Sequence, residues 1–468
     1  MNRKYRHWPA FLILLLPACS GVHSGDSLEK TQAFSEERLG HAASTVPDSA
    51  AISSLLSKPL TADRALQIAL LSNRLVHARL EEIGISEAEL MEAATPKNPT
   101  LSASVRWTSH GGRSDPDFGL MGDFLDWALL PTRKKIAEHN LAATQQKVCA
   151  ELLDFAAEVK TAYYELQGRQ QALAGLRDEA SAGDAIAELS KRMHDAGNIP
   201  SLEMHVQQAS AAMGRYQVSK AEAEVVEARA ALNKLLGLSG AAALRWKIAE
   251  GLPAPVEDLS PARAEALAVS RRPDLEVARQ HLAVTEQMLR LKQKSRLVPG
   301  LNLGVDTERD PEIGQLTGPS AEIEIPLFNW GRASVKKLEA EVRQARAELD
   351  ATETNVRNDA RLAAAQARAA RELWHAASQG ILPQRQEILK ETLHQYNAMQ
   401  KSNFELLQAK AEEQRASQEA VLALSSYWKA HVALEKAVGG RFSMKASSSS
   451  RAAKAAPQAP EHEHEHHH

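Results

Sequence analysis

The side chains able to do chemistry are few, and most lie near the ends of the chain. His462, His464, His466, His467 and His468 are interleaved with Glu461, Glu463 and Glu465 at the C-terminus. Imidazole nitrogen and carboxylate oxygen together suit Zn, Cu, Ni or Co. The approach from Ala446 to Pro460 is rich in Ser, Ala and Pro and cannot pack a core, so any metal held there is held weakly and exchangeably. Met193-His194 and Met204-His205 offer thioether and imidazole pairs of a kind that bind copper, against the commoner use of Met as core filler. Only two cysteines occur, Cys19 and Cys149, which rules out a disulfide scaffold and a Cys-based structural zinc site. Gly-x-Ser-x-Gly, phosphate-loop and dinucleotide motifs are missing, and His-Glu-x-x-His occurs only inside the Glu/His alternation of the tail, from His462 to His466 and from His464 to His468, without the amphipathic helix that a zinc protease builds it on. Carboxylates are plentiful but alternate with Lys and Arg, as on solvated helix faces. The expectation is a protein that is not an enzyme, with no cofactor beyond loosely bound Zn or Cu at the tail.

Charge and composition narrow the class. The 468 residues carry 56 Lys and Arg against 59 Asp and Glu, a net charge of −3, without the basic excess that nucleic-acid binding needs. Aromatic residues make up 4%, and long Ala/Glu/Arg/Leu stretches call for extended helices. Residues 1–18 read as an export signal: Arg3, Lys4, Arg6 and His7 precede an apolar run, Ala10 to Leu16, too short to span a bilayer. The run ends in Leu16-Pro17-Ala18-Cys19, which resembles a lipobox, with Pro17 a less usual residue there. Cleavage would leave Cys19 as a lipidated N-terminus, and with Ser20 rather than Asp behind it the resemblance implies the outer membrane; the alternative is an ordinary cleaved signal with an incidental Cys. Cys149 is then a lone, packed thiol. Beyond Leu16 no run of about 18 apolar residues follows, so a membrane crossing must be a closed β-barrel.

Between a tether at 19–58 and a low-complexity tail at 441–468 the chain repeats itself, in segments 59–240 and 241–440, at an offset of 199–200 residues. Leu60-Thr61-Ala62 matches Leu259-Ser260-Pro261, Ala78-Arg79 matches Ala278-Arg279, and Pro99-x-Leu101-x-x-x-Val105 matches Pro299-x-Leu301-x-x-x-Val305. Gln208-Ala209 matches Gln408-Ala409. Each half reads helix, strand, strand, then two long helices. Leu101, Ala103, Val105 and Trp107 alternate with polar residues, as do Leu301, Leu303 and Val305, and again Ala321, Ile323, Ile325 and Leu327. A fourth strand falls around Phe118 to Leu129, with Gly111-Gly112 and Asp310-Pro311 in the loops. Four strands cannot close a barrel, which needs roughly eight, so cyclic assembly is the simple remedy.

The helices carry a heptad seam. Ala333 to Gln379 lacks Gly and Pro over 47 residues, about 70 Å of helix. Val335, Leu338, Val342, Ala345, Leu349, Thr352 and Val356 step 3-4-3-4-3-4, a second step of four reaches Ala360, and Ala363, Ala367, Ala370 and Trp374 continue. The extra four is a stutter. Ala221, Val225, Ala228, Leu232 and Leu235 repeat the rhythm in the first half. Gly380 and Pro383 are expected to break the second helix pair and Gly183-Asp184 the first, with further interruptions at Gly197-Asn198-Ile199-Pro200 and at Asn397 to Ser402.

The doubled plan, Pro326-Leu327-Phe328-Asn329-Trp330-Gly331-Arg332 before a long helix, and Ala196-Gly197-Asn198-Ile199-Pro200-Ser201-Leu202-Glu203 resemble the TolC-type outer membrane factors over residues 58–440. The lipobox shifts the match toward the lipoprotein branch similar to CusC and OprM. Tyr396-Asn397-x-Met399 with Phe404-Glu405-Leu406-Leu407-Gln408-Ala409 resembles its metal-resistance members. The resemblance implies an α+β membrane protein: a homotrimer whose 12-stranded β-barrel in the outer membrane continues as an α-helical coiled-coil tunnel through the periplasm. It implies a periplasmic adaptor (a membrane fusion protein), an inner-membrane pump of the RND type, and contact with outer membrane lipid. It further implies that the hairpin tips near Asp184, and near Gly380 and Pro383 with Gln384 and Glu387, form the periplasmic entrance and meet the adaptor. The function so implied is efflux, with heavy-metal cations as cargo and organic compounds as the alternative. A non-conducting periplasmic coiled-coil scaffold is the reading from a different class, and it leaves the alternating strands without a purpose.

Overall fold

A computed structural model describes residues 26–46, 48–106, 115–257, 259–298, 300–310, 314–328 and 330–442. The export signal, Cys19, Trp107, Gly111-Gly112, Pro311 and the His/Glu tail lie outside them. The chain opens with α1 (Asp26–Leu39) and α2 (Ser49–Leu56). The first repeat follows as α3 (Ala62–Ser72), α4 (Arg74–Ala93), β1 (Thr100–Arg106), β2 (Asp115–Asp123), α5 (Phe124–Asp195) and α6 (Ser201–Leu235). After α7 (Gly240–Arg245) the second gives α8 (Pro261–Arg271), α9 (Pro273–Ser295), β3 (Leu301–Asp310), β4 (Gly314–Ile323) and α10 (Arg332–His375). A π-helical turn (Ala376–Ile381), α11 (Leu382–Asn397) and α12 (Asn403–Ala437) complete it.

Local chemistry starts both repeats in the same way. The Thr61 hydroxyl accepts from the Arg64 amide to cap α3, and the Ser260 hydroxyl accepts from the Arg263 amide to cap α8. Asn73 turns the chain into α4: its Oδ1 accepts from Leu75 N at 2.8 Å while its Nδ2 donates to Leu235 O at 2.8 Å. At the matching turn Pro273 takes the first position of α9, where its missing N–H costs no helical bond.

The core sits midway along the molecule. Leu60, Leu66, Ile68, Leu70, Leu152, Leu166, Trp246 and Tyr427 are fully enclosed where α3, α5, α12 and the segment after α7 meet. A second cluster joins α8, α10 and the end of α12 through Leu259, Leu275, Val356, Ala360 and Ala364. The heptad seam of α10 is as expected: from Val335 to Trp374 each seam residue is buried or half-buried, and α10 lies along α8, α9 and α12. Its many alanines let the neighbouring backbones come close.

Several expectations need correction. The strand placed around Phe118 to Leu129 ends at Asp123, because the Asp123 carboxylate accepts from the Asp126 amide at 2.9 Å and caps α5 there. The strand read through Ile325 and Leu327 stops at Ile323, and its last bond to the neighbouring chain segment runs from Glu324 N to Gly300 O. In the segment 19–58, read as a tether with local structure, that structure is α1 and α2. Ser27, Thr31, Ser35 and Leu39 are buried on one side of α1, which packs on α4 and α5 through small polar residues that an apolar-period search overlooks.

Gly183-Asp184 does not break α5, which runs unbroken for 72 residues, about 108 Å. Gly183 faces α6, where a Cβ would lie in ordinary contact 3.8 Å from Ala211 Cα, so the helix tolerates the glycine without needing it. Gly380 and Pro383 do not reverse the chain either. The π turn absorbs Gly380, and Pro383 occupies the first turn of α11, where an absent N–H is tolerated.

Overfilling the alanine seam should be costly. Ala360→Leu adds three carbons to a fully enclosed position and is expected to cost about 1–3 kcal/mol. A lower midpoint for loss of the helical circular-dichroism signal is the expected result. An unchanged midpoint would refute the close packing.

Candidate functional site

Three surfaces have the geometry of a working site: a two-faced sheet, two helical hairpins, and the tips that join their helices. The sheet order is β1-β2-β3-β4, antiparallel throughout. β2 and β3 are far apart in sequence, so this central pairing joins the two repeats. Register decides the faces, because directly paired residues project to the same side. One side carries Leu101, Leu120, Val305 and Pro319 in a row, with Leu303 beside Gly122 and Ala321. The other carries Ser102, Ser104, Arg106, Asp117, Asp306, Glu308 and Glu322. Arg106 reaches Asp117 and, at 3.3 Å, Glu308, tying three strands on the polar side. Leu101, Val105, Phe118, Leu120, Val305 and Ile323 are exposed on the apolar side. At its lower margin the Trp127 ring lies over Gly122 while Trp127 Nε1 donates to Lys97 O at 3.3 Å. An apolar ring with a satisfied N–H suits a membrane–water boundary. Among the described residues, β1 and β4 each have one edge without a strand partner.

The helices form two antiparallel hairpins, α5 with α6, and α10 and α11 with α12. They are cross-tied by charge. Arg169 bonds Glu224 of α6 at 2.9 Å and Glu165 at 2.6 Å, and Lys429 of α12 bonds Glu165 at 2.5 Å. Burial pushes the Glu165 carboxyl up, but hydrogen bonds from Lys429 and Arg169 outweigh it and leave its pKa lowered. The nearly buried Lys160 pairs with Glu435 at 2.6 Å. Burial also pushes the Cys149 thiol up to about 12, so it stays protonated and packs as a small apolar residue.

The chain reverses at residues 196–200 and 398–402, the segments that the sequence marked only as interruptions. Both reversals use the same motif. Asn198 N donates to Met193 O at 2.8 Å and Gly197 N to His194 O at 2.8 Å. Gln400 N donates to Gln395 O at 2.8 Å and Met399 N to Tyr396 O at 2.9 Å. The motif needs a left-handed residue, supplied by Gly197 at φ 76° and by Met399 at φ 56°. Met399 is 94% exposed and has the only positive φ of any non-glycine among the described residues. No sequence signal marked Met399 apart from its place in the family-like motif, because a strained φ appears only in coordinates. The Ser402–Glu405 capping box starts α12, and a bond from Lys401, with Ser402, lowers the Glu405 carboxyl pKa to about 2.

The residues expected at the entrance are therefore not at the tips. Asp184 lies inside α5 and pairs with Arg215 of α6 at 2.8 Å. Gly380 is in the π turn, with Pro383, Gln384 and Glu387 in the exposed start of α11, where Glu387 pairs with Lys390 at 3.0 Å. Met193-His194 and Met204-His205 flank the first tip, and His194 Nδ1 is 3.1 Å from Ile199 O. Among the described residues no group of three or more His, Cys, Asp or Glu could hold a metal ion. Cys19 and the five tail histidines fall outside the described residues.

The sequence profile of the outer membrane efflux protein family matches residues 65–238 and 266–440, about three quarters of the chain. This chain belongs to that family. Protein CyaE of Bordetella pertussis is 26% identical over 320 residues, covering 62% of this chain and 65% of CyaE. The pyoverdine export outer membrane protein OpmQ of Pseudomonas aeruginosa is 24% identical over 313 residues, covering 60% of this chain and 64% of OpmQ. The chain thus spans just under two thirds of the length of these relatives. The fold is that of the crystal structure of CusC, with a TM-score of 0.68 at 18% identity over 81% of this chain and 92% of that one. Proteins of this TolC-type family are channels and not enzymes, and this chain is an outer membrane protein that extends into the periplasm.

Met399 gives the tip a measurable strain. A left-handed side chain costs about 1–2 kcal/mol, part of which glycine's flexibility in the unfolded chain offsets. Met399→Gly should slow exchange of the Gln400 amide roughly two- to fivefold, and Gly197→Ala should speed that of Asn198 by a similar factor. No change in either would remove the strain reading.

Proposed function

We propose that this chain is the outer membrane channel of a tripartite efflux system, taking cargo from a pump–adaptor complex out of the cell. The observation that carries the reading is the open, two-faced sheet continued by long helices, the longest about 108 Å. An apolar outer face and a polar inner face are what a water-filled barrel needs in lipid. Three copies supply twelve strands and leave no edge. The helices favour the same assembly, because Leu202, Val206, Ala209, Met213 and Tyr216 form an exposed 4-3-4-3 seam on α6 that a second copy could cover. An adaptor and an RND-type pump are the partners of this reading. Purified protein in planar bilayers should give discrete ion-conducting steps, and should migrate as a trimer before heating and as a monomer after it. Absence of conductance from a stable trimer would favour a non-conducting scaffold.

Lipidation at Cys19 fits the basic and apolar leader before it. Cells fed a labelled fatty acid should label the wild type and not Cys19→Ser, and equal label in both would remove the anchor.

Heavy-metal cations are the cargo we favour, with organic compounds as the alternative, and the His/Glu tail supports metal. The last residues described before the tail lie beside α1, where Arg441 N donates to Arg38 O at 2.8 Å. The tail is thus rooted at the waist of the helical section, not at the tips. Binding should strengthen as pH rises through the ordinary His pKa of about 6.5. Titration calorimetry with zinc should show fewer ions bound per chain after truncation at Gly440, with the trimer retained. Equal stoichiometry would place metal elsewhere and weaken the case for metal cargo.

A further inference from the structure

The internal repeat specifies a junction that a single chain cannot show. Leu101 and Val105 of β1 correspond to Leu301 and Val305 of β3 at the 200-residue offset. Leu101 pairs with Leu120, and Leu301 with Ile323. Val105 pairs with Pro116, and Val305 with Pro319. Each β2 residue therefore corresponds to the β4 residue 203 positions later, and the two prolines fall on equivalent sites. The junction between repeats within the chain is the β2–β3 pairing, with Gly119 opposite Asp306, Leu120 opposite Val305 and Gly122 opposite Leu303.

We propose that β4 of one copy pairs with β1 of the next copy in the register that this internal junction dictates. Glu322 then lies opposite Arg106 of the next copy, Ile323 opposite Val105, Glu324 opposite Ser104, and Ile325 opposite Ala103. The proposal rests on the trimer reading above and adds the residues that close the barrel.

Independent features of the chain agree with this register. Apolar Ile323 and Ile325 meet apolar Val105 and Ala103 on the outer face, and polar residues meet on the inner one. A slip of one residue would turn every pair to the wrong face. The acid Glu322 falls directly opposite the base Arg106, a favourable cross-strand pair. A slip of two residues keeps the faces and sets Glu322 opposite Ser104 instead. The register also explains why β4 ends early. Beyond Glu324 the chain runs past the start of β3 and has no ladder partner of its own, although Ile325 and Leu327 continue the alternation and are 70% exposed. In the proposed junction β1 of the next copy supplies that partner, and the strand extends to Pro326, where a residue without an N–H is tolerated at a strand end.

Cysteine pairs test the register, because paired Cα atoms at about 4.5–5.5 Å suit a disulfide and diagonal ones at about 7–8 Å do not. Ile325→Cys with Ala103→Cys, and Ile323→Cys with Val105→Cys, are the in-register variants. Ile323→Cys with Ala103→Cys is the slipped control, since the two-residue slip that sets Glu322 opposite Ser104 also sets Ile323 opposite Ala103. The native Cys149 is buried and protonated, so it does not compete. Each variant is first shown by light scattering to be a trimer in detergent, then oxidised and run on a denaturing gel without reductant. Covalent dimers and trimers should form at least tenfold more from the in-register pairs than from the slipped pair. A trimer in which the slipped pair links as well or better overturns the register and leaves the trimer standing. A wild-type chain that stays monomeric overturns the assembly and the register together.

Discussion

The rest of the molecule depends on one constraint: in lipid, a backbone N–H or C=O has no water to turn to. A four-stranded sheet satisfies its inner ladders and leaves a row of such groups on β1 and on β4. The chain therefore cannot present its apolar face to a membrane alone. In the proposed assembly, closure by copies of itself removes both edges, and the β2–β3 pairing inside the chain is the pattern for that junction. The β2–β3 pairing is a junction between repeats that happens to be covalently connected.

The helical part answers a different need, which is length with a constant cross-section. A helix of about 108 Å cannot be held by one compact core. It is held by successive partners along its length, α4 and α9, then α3 and α12, then α6, and by ion pairs that join it to two of them, Arg169 to Glu224 of α6 and Glu165 to Lys429 of α12. The compact core is confined to the waist. There Leu60 N donates to Lys247 O at 2.7 Å, Ala249 N to Leu60 O at 2.8 Å, and the Tyr163 hydroxyl to Leu60 O at 2.9 Å. These bonds clamp the start of the first repeat to the segment that joins it to the second. Arg229 lies 4.0 Å from the ring centre of the buried Trp246 and donates to its carbonyl, which closes the same clamp from α6. α1 and the segment 439–442 after α12 meet at this waist as well, where Arg441 N donates to Arg38 O.

The tips show how the two repeats have diverged while keeping a shared backbone. The same pair of capping bonds turns both hairpins, but one tip meets the left-handed requirement with glycine and the other with an exposed methionine. The second hairpin also carries the π turn, and its α11 buries no residue, whereas the first has one continuous helix through the corresponding stretch. The distal part of the second hairpin is therefore the less tightly held of the two.

Sequence alone was enough for whatever is written in a local period or a repeated spacing. Alternation marked β1 and β3, the 3-4 rhythm with its stutter marked the buried face of α10 residue by residue, and the 200-residue offset revealed the duplication. These are properties of a helix or strand with one side against its neighbours, and they survive without knowing what the neighbours are. Tertiary structure alone decided where the helices reverse and where the strands stop. Gly183, Gly380 and Pro383 read as breaks because glycine and proline weaken an isolated helix, yet α5 continues through Gly183 and a π turn carries the chain past Gly380 into α11. The tips sit at Gly197 and Met399, where a left-handed residue lets the Asn198 and Gln400 amides close the capping bonds. Ile325 and Leu327 keep a strand's alternation without a strand's ladder because a ladder needs a second segment alongside, and that segment is not at hand within one copy.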